Sequence, residues 1–317
     1  MLSSAEVTYT LQGIDQDLRE DGRSRLDYRC ITVEVGIFPQ ASGSARLQLG
    51  ATDVLVGVVA ELSEPDEATP DSGRILISVD AGPGDMSTQL PSYDGCDSER
   101  PADGALLWLQ TALTPLYSAT SIPETLRALC IMSGVQCWQL RVHAQLLRCD
   151  GCPLDALNLA INAALHNTRV PKMAISISGA SAGKSGGSGS AQQQLDLDLD
   201  ESLDESLSLD CALLPVYVTL SSLGAHCVAD CTRAERSAAG SSCSLALNTR
   251  GEVCAMRAGG GCGINLVPLG HMQQTARYLG AALLAIAQAA IRQAVHAAEQ
   301  RGFPHAAGGA LGILECV

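Results

Sequence analysis

Two cysteines three residues apart, Cys149 and Cys152, stand in the stretch "LLRCDGCPLDAL" (146–157), where an apolar run gives way to a helix-like pattern. A Cys-x-x-Cys on a strand-to-helix turn can be a thiol redox site or half of a zinc site. Zinc takes four ligands, and the nearest second pair, Cys227 and Cys231, has a poor spacing for it. A redox motif of this kind belongs early in a small domain, whereas this pair sits mid-chain. The plainer reading is one thiol ending a buried strand and one near a helix cap, and neither a metal nor a cofactor is expected. Asp230 and Glu235 in "VADCTRAER" lie on a loop after a strand. Carboxylates there can be general acids or metal ligands, or simply a solvated turn.

Other chemistry-like stretches fail on spacing. "GASAGKSGG" imitates a phosphate loop, but the position that needs its first glycine is Ser178, and Gly/Ser sequence follows where a helix should. "AGGGCG" (258–263) does not fit a dinucleotide turn. The six histidines are dispersed and there is no Gly-x-Ser-x-Gly elbow. The balance of 34 Asp+Glu against 20 Lys+Arg argues against a free-standing nucleic-acid binder, since phosphate contacts need clustered cations. Half of the net charge of −14 sits in one run containing Asp196, Asp198, Asp200, Glu201, Asp204, Glu205 and Asp210. Thirteen cysteines without framework spacing fit a reducing compartment.

These residues need elements to hold them. The spacing predicts an amphipathic helix over about 4–19. Strands follow at "ITVEVGIF", "SARLQLG", "TDVLVGVVAEL" and "GRILISVDAG", four in a row that suggest a meander. Residues 103–117 read as a helix through Leu106, Leu109, Leu113 and Leu116. "CWQLRVHAQLLRC" is a long strand. "PLDALNLAINAALHN" is a helix with Pro153 in its first turn and a stripe of Leu154, Leu157, Ile161 and Leu165. Residues 179–210 are a Gly/Ser linker and an acidic low-complexity run, to which no strand is assigned because like charges repel. Strands resume at "LLPVYVTLSSLG", "HCVAD", "CSLALNT" and "EVCAMRAG", and a helix over about 268–301 closes the pattern. Gln288, Arg292, Gln293 and His296 mark that helix as soluble rather than membrane-spanning. Both halves run strands, then helix. The expected class is therefore α+β, a single unit of two halves (about 28–178 and 211–302) with a loop insertion at 179–210 and a tail at 303–317.

Taken in order, "LREDGRSRLDYR" (18–29), "GSARLQLGATDVLVGVVAEL" (43–62), "LLRCDGCPLDALNLAINAALHNTRVP" (146–171) and "HCVADCTRAE" (226–235) resemble the RNase PH family. Within it they resemble the rRNA-processing type of RNA exosome core ring subunit. The resemblance implies a duplicated βαβα-type fold with ribosomal protein S5 domain 2-like halves. It implies a hetero-hexameric ring with other RNase PH-like subunits, cap subunits and associated nucleases, RNA in the shared channel, no membrane, and a place in nucleus, nucleolus and cytoplasm. Active members carry a Gly-Gly-Thr-Arg-like turn that holds the phosphate attacking the RNA 3′ end. The matching turn here is Gly151-Cys152-Pro153-Leu154. Cysteine replaces the second glycine, Pro153 removes an amide donor and Leu154 brings no charge. Active rings also hold RNA with arginines, and 103–117 contains no Lys or Arg. Asp230 and Glu235 keep acid positions with no phosphate to serve. What the resemblance implies is a non-catalytic ring subunit that scaffolds 3′-to-5′ RNA processing and degradation. The alternatives are an active phosphorolytic exoribonuclease and, more weakly, a cysteine-based redox or zinc protein. Asp21, Gly22, Arg23 and Arg25 are expected in ring packing.

Overall fold

Alternation of apolar residues gives the first half its sheet. In β1 (Ile31–Val35), Ile31, Val33 and Val35 are buried while Thr32 and Glu34 face outward. The same period carries β2 (Gly43–Leu49), β3 (Thr52–Ser63) and β4 (Arg74–Ala81). The computed structural model describes residues 3–82, 101–171, 173–177, 195–199, 206–260, 263–300 and 312–313. α1 (Ser4–Asp15), ahead of the sheet, starts with a capping box between Ser3 and Glu6. After β4 come α2 (Pro101–Leu113), a 3₁₀ turn (Thr114–Tyr117), α3 (Pro123–Arg127), β5 (Cys130–Met132), β6 (Gln136–Arg148) and α4 (Pro153–His166). The short strands β7 (Arg169–Pro171), β8 (Met173–Ile177), β9 (Leu195–Leu199) and β10 (Ser206–Ser208) follow. β11 (Val216–Leu223), β12 (His226–Ala229), α5 (Arg233–Ala238), β13 (Ser241–Leu247), β14 (Val253–Gly259), α6 (Leu266–Gln300) and β15 (Gly312–Ile313) complete the chain.

Two sheets enclose α4. The first runs β15-β1-β2-β3-β6-β4, with β5 also on β6; the second runs β12-β11-β13-β14. α4 touches β2 and β3 on one side and β11 on the other, so every residue from Pro153 to Leu165 is buried. A helix covered all round belongs in a core. Its polar residues become cross-links. Asn158 Nδ2 donates to Tyr117 Oη and its Oδ1 accepts from the Tyr217 amide, while Asn162 Nδ2 donates to the Pro215 carbonyl. α6 is long and apolar enough to span a membrane by length and composition. Here its buried face, including Met272, Ala276, Leu283, Ala287, Ile291 and Ala294, packs on β1, β11 and β13 as a core helix.

Two expectations need correction. The four leading strands are not a full meander: β6 inserts between β3 and β4, and β4 pairs with it in parallel. β6, 13 residues long against eight in β4, is long enough to pair with β3 from Asp53 to Ser63. The acidic run is not strandless, since β9 pairs with β8. The register explains this: leucines 195, 197 and 199 stand opposite Ile177, Ile175 and Met173, and Asp196 and Asp198 stand opposite Ser176 and Ala174, so no acid faces another across the ladder. The tail contributes β15, which pairs with β1. The Gly/Ser linker and the rest of the acidic run up to Glu205 lie outside the described residues.

Candidate functional site

The strand-to-helix turn and the acid loop meet face to face. Gly151 lies at the end of the β6–α4 connection with φ +101°, a conformation that favours glycine. A Cβ placed there would come within 1.8 Å of the Cys231 carbonyl oxygen, so the acid loop crosses directly over this glycine. Cys152 is the N-cap residue of α4 and gives no side-chain cap. Pro153 offers no amide hydrogen. Leu154 points to a cavity of about 10 Å³ that it shares with Trp108, Thr219, Arg236, Ser242, Ser244 and Arg257. That is room for about one water molecule. A phosphate does not fit there. Arg236 and Arg257 do supply charge beside the cavity, but Arg236 Nη1 reaches Cys152 Sγ and Arg257 Nη2 donates to the Thr111 carbonyl at the end of α2.

The carboxylates of the acid loop are spent on arginines from the segment before β1. Arg19 grips Glu235 through two bonds, Nε to Oε1 at 2.8 Å and Nη2 to Oε2 at 2.6 Å, with both side chains buried. Glu235 also closes a capping box with Thr232 that starts α5. Asp230 is fully buried and sits at φ +42°. It accepts from the Arg29 amide, Nε and Nη2, and from Arg23 Nη1 at 3.2 Å. Arg29 Nη1 continues to Asp150, whose Oδ1 accepts from the Arg233 amide. Burial works against charge on Arg29, but Asp230 and Asp150 more than offset it and raise its pKa. Each carboxylate oxygen of Asp230 and Glu235 therefore already accepts from at least one fixed arginine donor.

The segment expected in ring packing is bonded within the chain. Gly22 takes φ +81° in a tight turn. Arg23 Nε donates to Asp21, and Arg25 Nε donates to Asp17 while its Nη1 lies 2.6 Å from His226 Nδ1. The Ala229 amide donates to the Arg25 carbonyl, fastening this segment to β12.

Cys149 and Cys152 carry thiols, not a disulfide, and belong to different apolar clusters. Burial pushes Cys149 up to about 11 and Cys152 well above its ordinary value, so both stay protonated near neutral pH. Cys152 packs instead with Ile14, Leu223, Val228 and Cys231.

Sequence reading missed the residues that organise the site. Arg19 and Arg29 lie inside "LREDGRSRLDYR", and their spacing from the acid loop gave no sign of pairing. Asp155 was also missed. It is fully buried in the first turn of α4 and accepts from the Thr219 amide and Oγ1. Burial pushes its carboxyl up to about 7 despite those bonds. An acid inside the apolar stripe "PLDAL" was the available signal.

The family model for RNase PH, described as the 3′ exoribonuclease family, domain 1, matches residues 27–171. A protein of Dictyostelium discoideum called putative exosome complex exonuclease RRP42 is 27% identical, over 92% of this chain and 98% of that protein. The exosome complex component Rrp42 of Sulfurisphaera tokodaii is 33% identical over 52% of this chain, and the match spans 57% of that relative. Among solved structures, an archaeal exosome core matches with a TM-score of 0.66 at 24% identity, covering 90% of this chain and 96% of that one. The Archaeoglobus fulgidus exosome with RNA bound to the active site matches with a TM-score of 0.67 at 25% identity, covering 88% and 96%. The chain carries a mixed α/β RNase PH fold, with an RNase PH domain matched over residues 27–171 and homologues named as Rrp42 exosome components.

Proposed function

We propose that this chain is a non-catalytic RNase PH-like subunit of an RNA exosome core ring. It scaffolds 3′-to-5′ RNA processing and degradation, rRNA maturation included, while associated nucleases do the chemistry. The observation that carries this reading is the filled turn at 151–154. Its cavity of about 10 Å³ beside Leu154 has no room for a phosphate nucleophile. The acids that could assist cleavage, Asp230 and Glu235, are held by Arg29, Arg23 and Arg19.

On this reading the value of the chain lies in its surfaces. RNase PH-like neighbours flank it in a hetero-hexameric ring, with cap subunits and nucleases attached and RNA in the shared channel. Asp21, Gly22, Arg23 and Arg25 serve ring packing by holding segment 17–29 rigid against β12. The two halves, about 28–178 and 211–302, act as one unit, with 179–210 as an insertion and 303–317 as a tail. The complex works in nucleus, nucleolus and cytoplasm. Co-expression with RNase PH-like partners tests the assignment. The chain should elute in one defined complex whose interfaces each bury on the order of 1,200–2,000 Å². A monodisperse monomer that ignores such partners would overturn it.

A further inference from the structure

The cysteine pair that drew attention in the sequence is not the one the fold brings together. Cys130 in β5 and Cys137 in β6 are direct partners across an antiparallel ladder. The Trp138 amide donates to the Leu129 carbonyl at 2.9 Å, one residue outward on each strand. That bond pattern marks Cys130 and Cys137 as a pair that exchanges no backbone hydrogen bonds of its own. Such pairs hold their Cα atoms about 4.5 Å apart with side chains on the same face of the sheet. A disulfide needs Cα atoms roughly 4.4–6.8 Å apart, so closure requires little backbone movement.

The surroundings supply access on one side and a cation on the other. Cys130 is partly exposed and Cys137 is buried. Arg74 opens β4 where β5 leaves off along β6, and its Nε is buried without a hydrogen-bond partner. Burial raises the Cys137 thiol, and the Arg74 guanidinium works against that rise. A thiolate forming transiently at Cys137 thus has a counter-charge close by. Burial and then Asp71 disfavour the Cys130 thiolate, so its attack on a disulfide is slow rather than spontaneous on contact.

We propose that Cys130 and Cys137 form a reversible dithiol–disulfide site that reacts with low-molecular-weight disulfides. Cys130 loses its proton and attacks one sulfur of the small disulfide, forming a mixed disulfide and releasing one small thiol. Cys137 then loses its proton and attacks Cys130 Sγ, which expels the second small thiol. Two protein thiols are oxidised by two electrons, the small disulfide is reduced to two thiols, and the protons pass to the leaving sulfurs. The bond would fasten β5 to β6 at the end of the sheet.

Trypsin releases both cysteines in one peptide, 128–141, because no Lys or Arg lies between Arg127 and Arg141. The test exposes the full chain to mixtures of oxidised and reduced glutathione, alkylates remaining thiols after denaturation, and weighs that peptide. The expected result is a peptide lighter by two hydrogens with both alkyl groups lost together, restored by excess reduced glutathione. Cys130→Ser, at the more exposed position, should leave Cys137 open to alkylation. The proposal fails if the peptide keeps both alkyl groups while exposed Cys30 has reacted. It also fails if the reaction stops at a stable glutathione adduct on Cys130, or if Cys130 joins a different cysteine.

Discussion

The acid loop and the turn it crosses meet most tightly where Gly151 lies against Cys231, and they solve opposite problems. The acid loop is rich in charge that is already paired, since Arg19 holds Glu235 and Arg23 and Arg29 hold Asp230. The turn opens a helix N-terminus, a natural anion site, yet Cys152, Pro153 and Leu154 occupy it and the cavity beside Leu154 is only about 10 Å³. Side-chain type alone misleads in both places. Carboxylates on a strand-end loop suggest proton transfer until their partners are named. A glycine turn before a helix suggests phosphate binding until the side chains beside it are named. The two regions hold each other: the acids fix the loop, and the loop fills the space above the turn.

The contrast breaks most sharply at the buried ion pairs. Glu235→Ala leaves Arg19 charged and buried without its partner, which should cost roughly 3–5 kcal/mol in denaturant unfolding. A loss within about 1 kcal/mol would mean that the acid loop is not load-sharing with the fold in this way. Asp155 gives the next effect. Its folded carboxyl titrates near 7, above the range of an unfolded aspartate. Below about pH 4 both states are protonated; as pH rises towards 7, only the unfolded state ionises, and stability falls by a few kcal/mol. Asp155→Asn should flatten that slope in a stability-versus-pH series. Gly151→Ala should cost about 1–3 kcal/mol through its positive φ and the clash with Cys231, read as a lowered unfolding midpoint. The smallest effect belongs to the Cys149→Ala/Cys152→Ala double change, about 1 kcal/mol. Elemental analysis of the unaltered chain should find no stoichiometric zinc, and unfolding by a chelator would contradict the packing role of the pair.

Much of the fold was legible because apolar periodicity reports burial. The stripe of Leu154, Leu157, Ile161 and Leu165 announced α4, and alternation announced β1 to β3. Strand order was not legible, because β4 and β6 are equally strand-like and only three-dimensional packing puts β6 beside β3. At the candidate site, the residue types of the turn, Gly151-Cys152-Pro153-Leu154, could be read directly. The arginine clamps could not, because Arg19 and Glu235 lie 216 residues apart and neither residue type reveals its partner. The Cys130/Cys137 pairing was hidden for a related reason. Its spacing of seven has no motif meaning until a hairpin folds it into register.

The central claim is that this chain does not use phosphate to cleave RNA. The direct measurement incubates the purified chain, alone and in its reconstituted ring, with 3′-labelled RNA and inorganic phosphate, and follows nucleoside diphosphate release. The account predicts no release from the chain alone, and release from the ring that is unchanged by Asp230→Asn in this subunit, provided the ring still assembles. Phosphate-dependent release by the isolated chain, abolished by Asp230→Asn in a variant that remains folded, would contradict it.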